Sequence, residues 1–249
     1  MQRTNERRNE LGQPIGRALP DWRAATAPGR AAIHGARCRL ESLDAERHAE
    51  SLFDAFAQDR DGRNWTYLPY GPFASLREYR GWVEASSTVD DVYFFAIVDR
   101  VPERAIGVAS YLRAAPDAGS IEVGHLSFAP ALQRTPAATE AMYLMMKRVF
   151  EDWGYRRYEW KCDRLNAASC AAARRLGFRY EGTFRNHTTV KGCNRDTAWF
   201  SILDDEWPGI REALGRWLER GNFDERGAQR SRLQEWMPET AGEATVVEV

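Results

Sequence analysis

The order of apolar segments along the chain predicts an α/β fold: a mixed, mainly antiparallel central sheet of about seven strands flanked by helices on both faces. Three observations predict it. Val92 to Val98 is a nearly unbroken apolar run that resumes, after the turn Asp99 to Arg104, as Ala105 to Leu112, the pattern of a hairpin. From Ile121 to Phe178 strand and helix alternate. Tyr180 to Phe184 and Thr197 to Leu203 then read as two further strands, linked through the turn-rich stretch Lys191 to Arg195. Antiparallel pairs come first, and a strand-helix-strand unit follows.

The remaining elements fit around this sheet. Residues 1–32 are polar, carry Gly12, Pro14, Gly16, Pro20, Pro28 and Gly29, and read as an irregular leader that Ile15, Leu19 and Trp22 can pin onto the domain. The domain spans 33–221. A short strand from Ala36 to Glu41 precedes Asp44, which caps a helix bearing Ala49, Leu52, Phe53 and Phe56 at helical spacing. Ser75 opens a second helix with Leu76, Tyr79 and Val83. Ile121 to Phe128 is a strand, Pro136 to about Trp153 a helix, Tyr158 to Cys162 a strand and Ala167 to Leu176 a helix. Trp207 to Arg220 is amphipathic, with Pro208 in its first turn. Residues 222–249 form a C-terminal extension, flexible after 238.

Composition narrows the function classes. Lys+Arg 35 against Asp+Glu 36 leaves a net charge of −1, which supplies no global pull toward nucleic acid or an anionic membrane. No run of about 18 apolar residues is present to span a bilayer. Cys38, Cys162, Cys170 and Cys193 show neither CxxC nor His-paired metal spacing, so no metal is expected and reduced thiols in a cytoplasmic protein are the default.

Gln133-Arg134-Thr135-Pro136-Ala137-Ala138-Thr139 stands where a strand ends and a helix begins. Unpaired N–H groups and partial positive charge at a helix start suit a phosphate. The small side chains of Ala137 and Ala138 let a pyrophosphate approach the backbone, and Arg134 or Gln133 can add donors. Thr135 as cap and Pro136 at the first helical position are equally a good helix start with no ligand at all.

Gln133-x-x-Pro136-x-Ala138 is similar to the Gln/Arg-x-x-Gly-x-Gly/Ala acetyl-CoA signature of the GCN5-related N-acetyltransferases, the GNAT superfamily. Proline replaces the central Gly. Asn166-Ala167-Ala168-Ser169 followed by Leu176-Gly177-Phe178 resembles the Asn-x-x-Ser and Leu-Gly-Phe pair of the RimJ/RimL branch, as do Glu181-Gly182 and Asp204-Asp205-Glu206-Trp207. The resemblance covers roughly Ala36 to Leu218. It implies a GNAT fold, acetyl-CoA as cosubstrate, direct attack by a primary amine in a ternary complex, and a homodimer.

The resemblance also implies site residues. Cofactor contacts fall on Leu126, Phe128, Gln133, Arg134, Thr135, Ala137, Ala138, Thr139, Asn166 and Ser169, with backbone groups around Leu126 to Phe128 pairing with the pantetheine amides. Glu122 is the candidate base; it is equally a structural glutamate satisfied by its neighbours. His125 competes with it, and reads better as a half-buried, hydrogen-bonded histidine. Many superfamily members carry a Tyr acid where this chain has Ala173, so Ser169 is the candidate proton donor, with a small residue filling a helix face as its plain reading. Cys170 reads as a buried inert thiol. Trp65, Tyr67, Tyr70, Trp160 and His187, with Arg185 and Asn186, can line an acceptor site, though aromatics of this kind also serve as packing. The acceptor implied is a protein N-terminus or a small amine such as an aminoacyl nucleotide, an antibiotic or a polyamine. The competing class is a non-catalytic acyl-CoA-binding protein.

Overall fold

The computed structural model describes residues 7–238. Ten strands and five α-helices run in the order β1 (Arg7–Arg8), β2 (Pro14–Ile15), β3 (Ile33–His34), β4 (Cys38–Ser42), α1 (Ala45–Phe56), α2 (Leu76–Ser87), β5 (Val92–Asp99), β6 (Ala105–Ala115), β7 (Ser120–Phe128), α3 (Pro136–Lys147), β8 (Arg157–Asp163), α4 (Ala167–Arg175), β9 (Arg179–Val190), β10 (Cys193–Leu203) and α5 (Trp207–Leu218). The central sheet has eight strands in the order β3-β4-β5-β6-β7-β8-β10-β9. All neighbours are antiparallel except β7 and β8, which are parallel and joined through α3.

The apolar run at β5 is continuous because both of its faces are covered. Phe95 and Ile97 join the core beneath α3 and α5, while Phe94, Ala96 and Val98 join the core beneath α1 and α2. Period-2 alternation thus divides one strand between two cores. Asp44 caps α1 by accepting from the Arg47 N–H at 2.8 Å, and Ser75 caps α2 by accepting from the Glu78 N–H at 3.3 Å.

The structure fills in several of these expectations. Eight strands replace about seven, because Ile33–His34 adds a two-residue strand to β4. The helix opening at Pro136 leaves α geometry at Lys147 and finishes as a π-turn over Arg148–Asp152. The last hairpin is far longer than predicted: β9 and β10 stay paired out to Val190 and Cys193. Exposed polar side chains from Arg185 to Thr189 hide that pairing from an apolar pattern. In the leader, Arg7 and Arg8 pair with Ile15 and Pro14, and the Trp22 indole donates to Asp117 O at 3.3 Å, whereas Ile15 and Leu19 are exposed. The extension after α5 folds back through Asn222, which bonds Trp217 O and the Ser231 N–H; the stretch after 238, expected to be flexible, lies outside the described residues.

One buried carboxylate ties the start of the sheet to α3. Glu140 accepts from the backbone N–H groups of Ala36, Arg37 and Cys38 at 3.2, 2.6 and 2.9 Å. Gly35 is required beside it, since a Cβ there would lie 2.5 Å from Glu140 Oε2. Glu140→Ala strands buried donors and is predicted to lower stability by about 3 kcal/mol. Thermal denaturation should show a Tm drop of roughly 6–12 °C, and an unchanged Tm would refute the anchor.

Candidate active site

The site begins with a parting of strands. β7 and β8 pair from Ser120↔Arg157 to Val123↔Trp160 and no further, although β7 runs on to Phe128 and β8 to Asp163. Each strand keeps its outer partner. Val108↔Ser127 and Ser110↔Gly124 enclose one extra residue on β7, a bulge at which His125 takes φ 50°. The bulge bends β7 away from β8 and opens a cavity of about 440 Å³, lined by Glu122, His125, Leu126, Trp160, Asn166 and Ser169 among others. Its volume falls within the range of small-molecule sites.

On the floor, α4 is capped by Asn166, whose Oδ1 accepts from the Ser169 N–H at 3.0 Å. The Trp160 indole N–H donates to Ser169 Oγ at 3.0 Å. An indole nitrogen only donates, so this contact uses a lone pair of Ser169 and leaves its hydroxyl proton to be donated elsewhere. Trp160 is buried, and its place in the cavity is that of a prop for Ser169.

On the wall, Glu122 and Glu159 stand directly opposite each other across the parallel pair. Like charges in that position repel. Lys161 Nζ resolves the conflict by lying 2.8 Å from Glu122 Oε2 and 2.8 Å from Glu159 Oε2, with the Trp199 ring centroid 3.8 Å away. Arg113 Nη1 holds the other Glu122 oxygen at 2.8 Å, and Arg157 joins Glu159 to Glu181. A row of alternating charge thus crosses the sheet. Of the two cations on Glu122, Arg113 has a side chain 61% exposed and Lys161 one 8% exposed, so only the Arg113 contact is readily released into solvent.

His125 faces the same cavity. Burial first, and then the Arg113 charge, push its imidazole down to about 4. Burial keeps the Tyr70 phenol protonated, and its hydroxyl shares a hydrogen bond of 3.2 Å with His125 Nδ1. His125 is thus half-buried and hydrogen-bonded.

The phosphate-type loop is built as a capped helix start. Thr135 Oγ1 accepts from the Ala138 N–H at 3.2 Å, Pro136 is at the first helical position, and the Ala137 N–H has no intrahelical acceptor. Arg134 takes φ 61°. Thr139 accepts from Arg175 at 3.0 Å, which brings a second arginine to this helix end. Gln133 is engaged elsewhere: its Nε2 donates to Asn64 Oδ1 and to Phe128 O, each at 2.8 Å. Asn64 also donates to Phe128 O at 3.2 Å, so this carbonyl already has two donors, and of the predicted pair only Leu126 lines the cavity.

The acceptor candidates separate. Tyr67 and His187 line the cavity, whereas Trp65 is buried against Phe56 and Phe73 and belongs to the core. Tyr70 serves His125, and Arg185 and Asn186 lie on the exposed outer part of β9. Two bridges join connecting segments on this side of the molecule: the Tyr67 hydroxyl, from the cavity lining, donates to Leu165 O at 3.1 Å, and Lys191 Nζ from the β9–β10 tip donates to Trp65 O at 2.7 Å. Cys170 departs from expectation, being half-buried, with a thiol that Cys162 and then Arg174 pull down to about 7. Sequence reading missed Asn64, Arg113, Lys161 and Cys162, whose parts depend on strand register. Among the described residues no cluster suited to a metal occurs, and no helix is long and apolar enough to cross a membrane.

Residues 37–179, more than half of the chain, match the family model described as an acetyltransferase (GNAT) domain. The chain belongs to the GNAT family. A GCN5-related N-acetyltransferase from Brucella melitensis is similar at 43% identity and TM-score 0.86, over 88% of this chain and 99% of that one. A probable acetyltransferase (GNAT family) from Chromobacterium violaceum is similar at 43% identity and TM-score 0.73, over 79% and 98%. The acetyl transferase of Salmonella typhimurium that modifies the N-terminal serine of 50S ribosomal subunit protein L7/L12 shares the fold, at 19% identity and TM-score 0.60, over 70% and 99%. No curated protein matches. This GNAT chain is an N-acetyltransferase, and enzymes of its family use acetyl-CoA.

The imidazole pushed down to about 4 has a consequence for stability. The unfolded chain takes up a proton on His125 near the ordinary 6.5 and the folded chain only near 4, so stability falls as pH drops through that window. Buried His48, also pushed down chiefly by burial, adds in the same direction. Urea denaturation at about pH 7 and pH 5 should show this loss, and His125→Asn, which tolerates a positive φ, should reduce it. An identical loss in the variant would count against the assignment.

Proposed function

We propose that this N-acetyltransferase moves the acetyl group of acetyl-CoA onto a primary amine by direct attack in a ternary complex in the cytoplasm. The observation that carries the reading is the cleft between β7 and β8, with a propped hydroxyl on its floor and a carboxylate on its wall. Acetyl-CoA supplies the activated thioester; the chain holds it and moves protons. An amide-bearing arm fits between two strands whose inner backbone edges have lost each other, with Leu126 on one side and Asn166 at the end of α4. The Ala137 N–H, Arg134 and Arg175 at the α3 start suit the diphosphate, while Thr135, Ala138 and Thr139 shape that helix end.

Ser169 donates its proton to the departing thiolate, because Trp160 already supplies the donor that the oxygen accepts. Glu122 takes the proton of the amine, directly or through water, once Arg113 swings off Oε1 into solvent while Lys161 stays in place. Tyr67, held at the cavity lining by its bond to Leu165 O, favours a slender amine, a protein N-terminus or a linear small molecule, over a bulky ring system.

Acetyl transfer across an amine panel, read by thiol release, tests these roles. Glu122→Gln and Ser169→Ala should each lower kcat by roughly a hundredfold or more, and Arg113→Ala by far less. Trp160→Phe should lower kcat with little change in the KM for acetyl-CoA, whereas loss of the floor would raise that KM. CoA binding with no thiol release for any amine, unaffected by Glu122→Gln or Ser169→Ala, would instead support a non-catalytic acyl-CoA-binding protein.

A further inference from the structure

Two sulfurs lie in contact beside the catalytic floor. Cys162 near the end of β8 and Cys170 in α4 have Sγ atoms 3.5 Å apart. Cys162 is buried and lines the cavity, and Cys170 is half-buried. The other thiols differ: Cys38 is buried against Ala137 O, and Cys193 is exposed where β10 begins. A disulfide needs a sulfur separation of about 2.05 Å, so closing the pair takes about 1.5 Å of movement shared by two short side chains. Only the β8–α4 turn separates the two cysteines, which leaves little chain to reorganise.

The pair is chemically unequal. The hydrogen bond from Cys162 and then the Arg174 guanidinium pull the Cys170 thiol down to about 7, while the contact with Cys170 and burial push the Cys162 thiol up. Cys170 is thus the thiolate near neutral pH, with a path to solvent, and Cys162 is the protonated partner behind it. This is the arrangement of an attacking and a resolving cysteine.

We propose that Cys162 and Cys170 form an oxidisable dithiol, and that the disulfide a hydroperoxide makes between them switches off the acetyl-transfer site. The Cys170 sulfur attacks one peroxide oxygen, the O–O bond breaks, and a sulfenic acid forms as the other oxygen leaves and takes a proton to become water or an alcohol. The Cys162 sulfur then attacks the Cys170 sulfur, the S–O bond breaks, and the hydroxyl leaves as water with the Cys162 proton. Both sulfurs are oxidised and the peroxide is reduced. Ser169 immediately precedes Cys170 and bonds the indole of Trp160, two residues before Cys162. Drawing the sulfurs together shifts the α4 turn that carries Ser169, and a misplacement near 1 Å lowers rates by about a hundredfold. The loss of activity rests on the acetyl-transfer reading; formation of the disulfide does not.

The test uses the full reduced chain treated with hydrogen peroxide, mapped by tryptic digestion and assayed for acetyl transfer and for the rise in Tm with acetyl-CoA. Cleavage after Lys161, Arg164 and Arg174 should yield peptide 162–164 joined to peptide 165–174, separated again by dithiothreitol. The transfer rate should fall about tenfold or more with that species and recover on reduction; where no amine is accepted, the Tm rise should shrink with that species and recover likewise. Cys162→Ser should carry Cys170 on to sulfinic acid and make the loss irreversible, while Cys170→Ser should resist peroxide. If neither variant folds, diamide treatment of the unaltered chain should give the same linked peptide. Absence of the linked peptide overturns the dithiol, and a linked peptide with rate and Tm rise unchanged overturns the switch. A reduced chain that forms the linked peptide but transfers acetyl to no amine overturns the acetyl-transfer reading alone.

Discussion

The constraint on which the structure depends is the parallel pairing of β7 and β8, which stops at Val123 and Trp160 while both strands continue. A parallel pair needs a crossover, and α3 supplies it, so the helix start that follows β7 is brought to the mouth of the gap. The extra residue at His125 bends one wall away, and β10 keeps the other straight by pairing along all of β8. The Ser169 floor, the Glu122 wall and the α3 helix start are all arranged about one interruption in a ladder.

The sheet is covered unequally. α1 and α2 pack on β5 and β6, and the same face is covered farther along by the charged row through Arg113, Glu122, Lys161, Glu159, Arg157 and Glu181. Buried charges persist only when each meets a partner. Here each carboxylate lies between two cations or beside a hydroxyl, as Ser201 donates to Glu181 at 2.7 Å. A residue that looks catalytic in isolation is thereby also part of the sheet's own cohesion.

Much of this fold was legible in the chain. Asp44 and Ser75 announce helix starts by short-range chemistry, and the apolar runs at Val92–Val98 and Ala105–Leu112 announce a buried hairpin. Glu122, His125, Asn166 and Ser169 were singled out and line one cavity. Lys161 could not be anticipated, because its part depends on Glu122 facing Glu159, a matter of register between residues far apart in sequence. Trp65 failed as an acceptor contact for a related reason: composition cannot say whether a loop aromatic turns toward a cavity or into a core. Gln133 shows the limit of a motif, since the donor it offers already serves Phe128 and Asn64.

The Tyr67 and Lys191 bridges share a property. Both end on a main-chain carbonyl, that of Leu165 and that of Trp65, which every residue at those positions would present. The bridges themselves therefore depend on the donor side chains, Tyr67 and Lys191, and not on the side chains at the receiving ends. Each lies on a connecting segment, Tyr67 before α2 and Lys191 between β9 and β10. Two side chains on connecting segments thus tie distant parts of the chain together without using the side chain of either receiving residue.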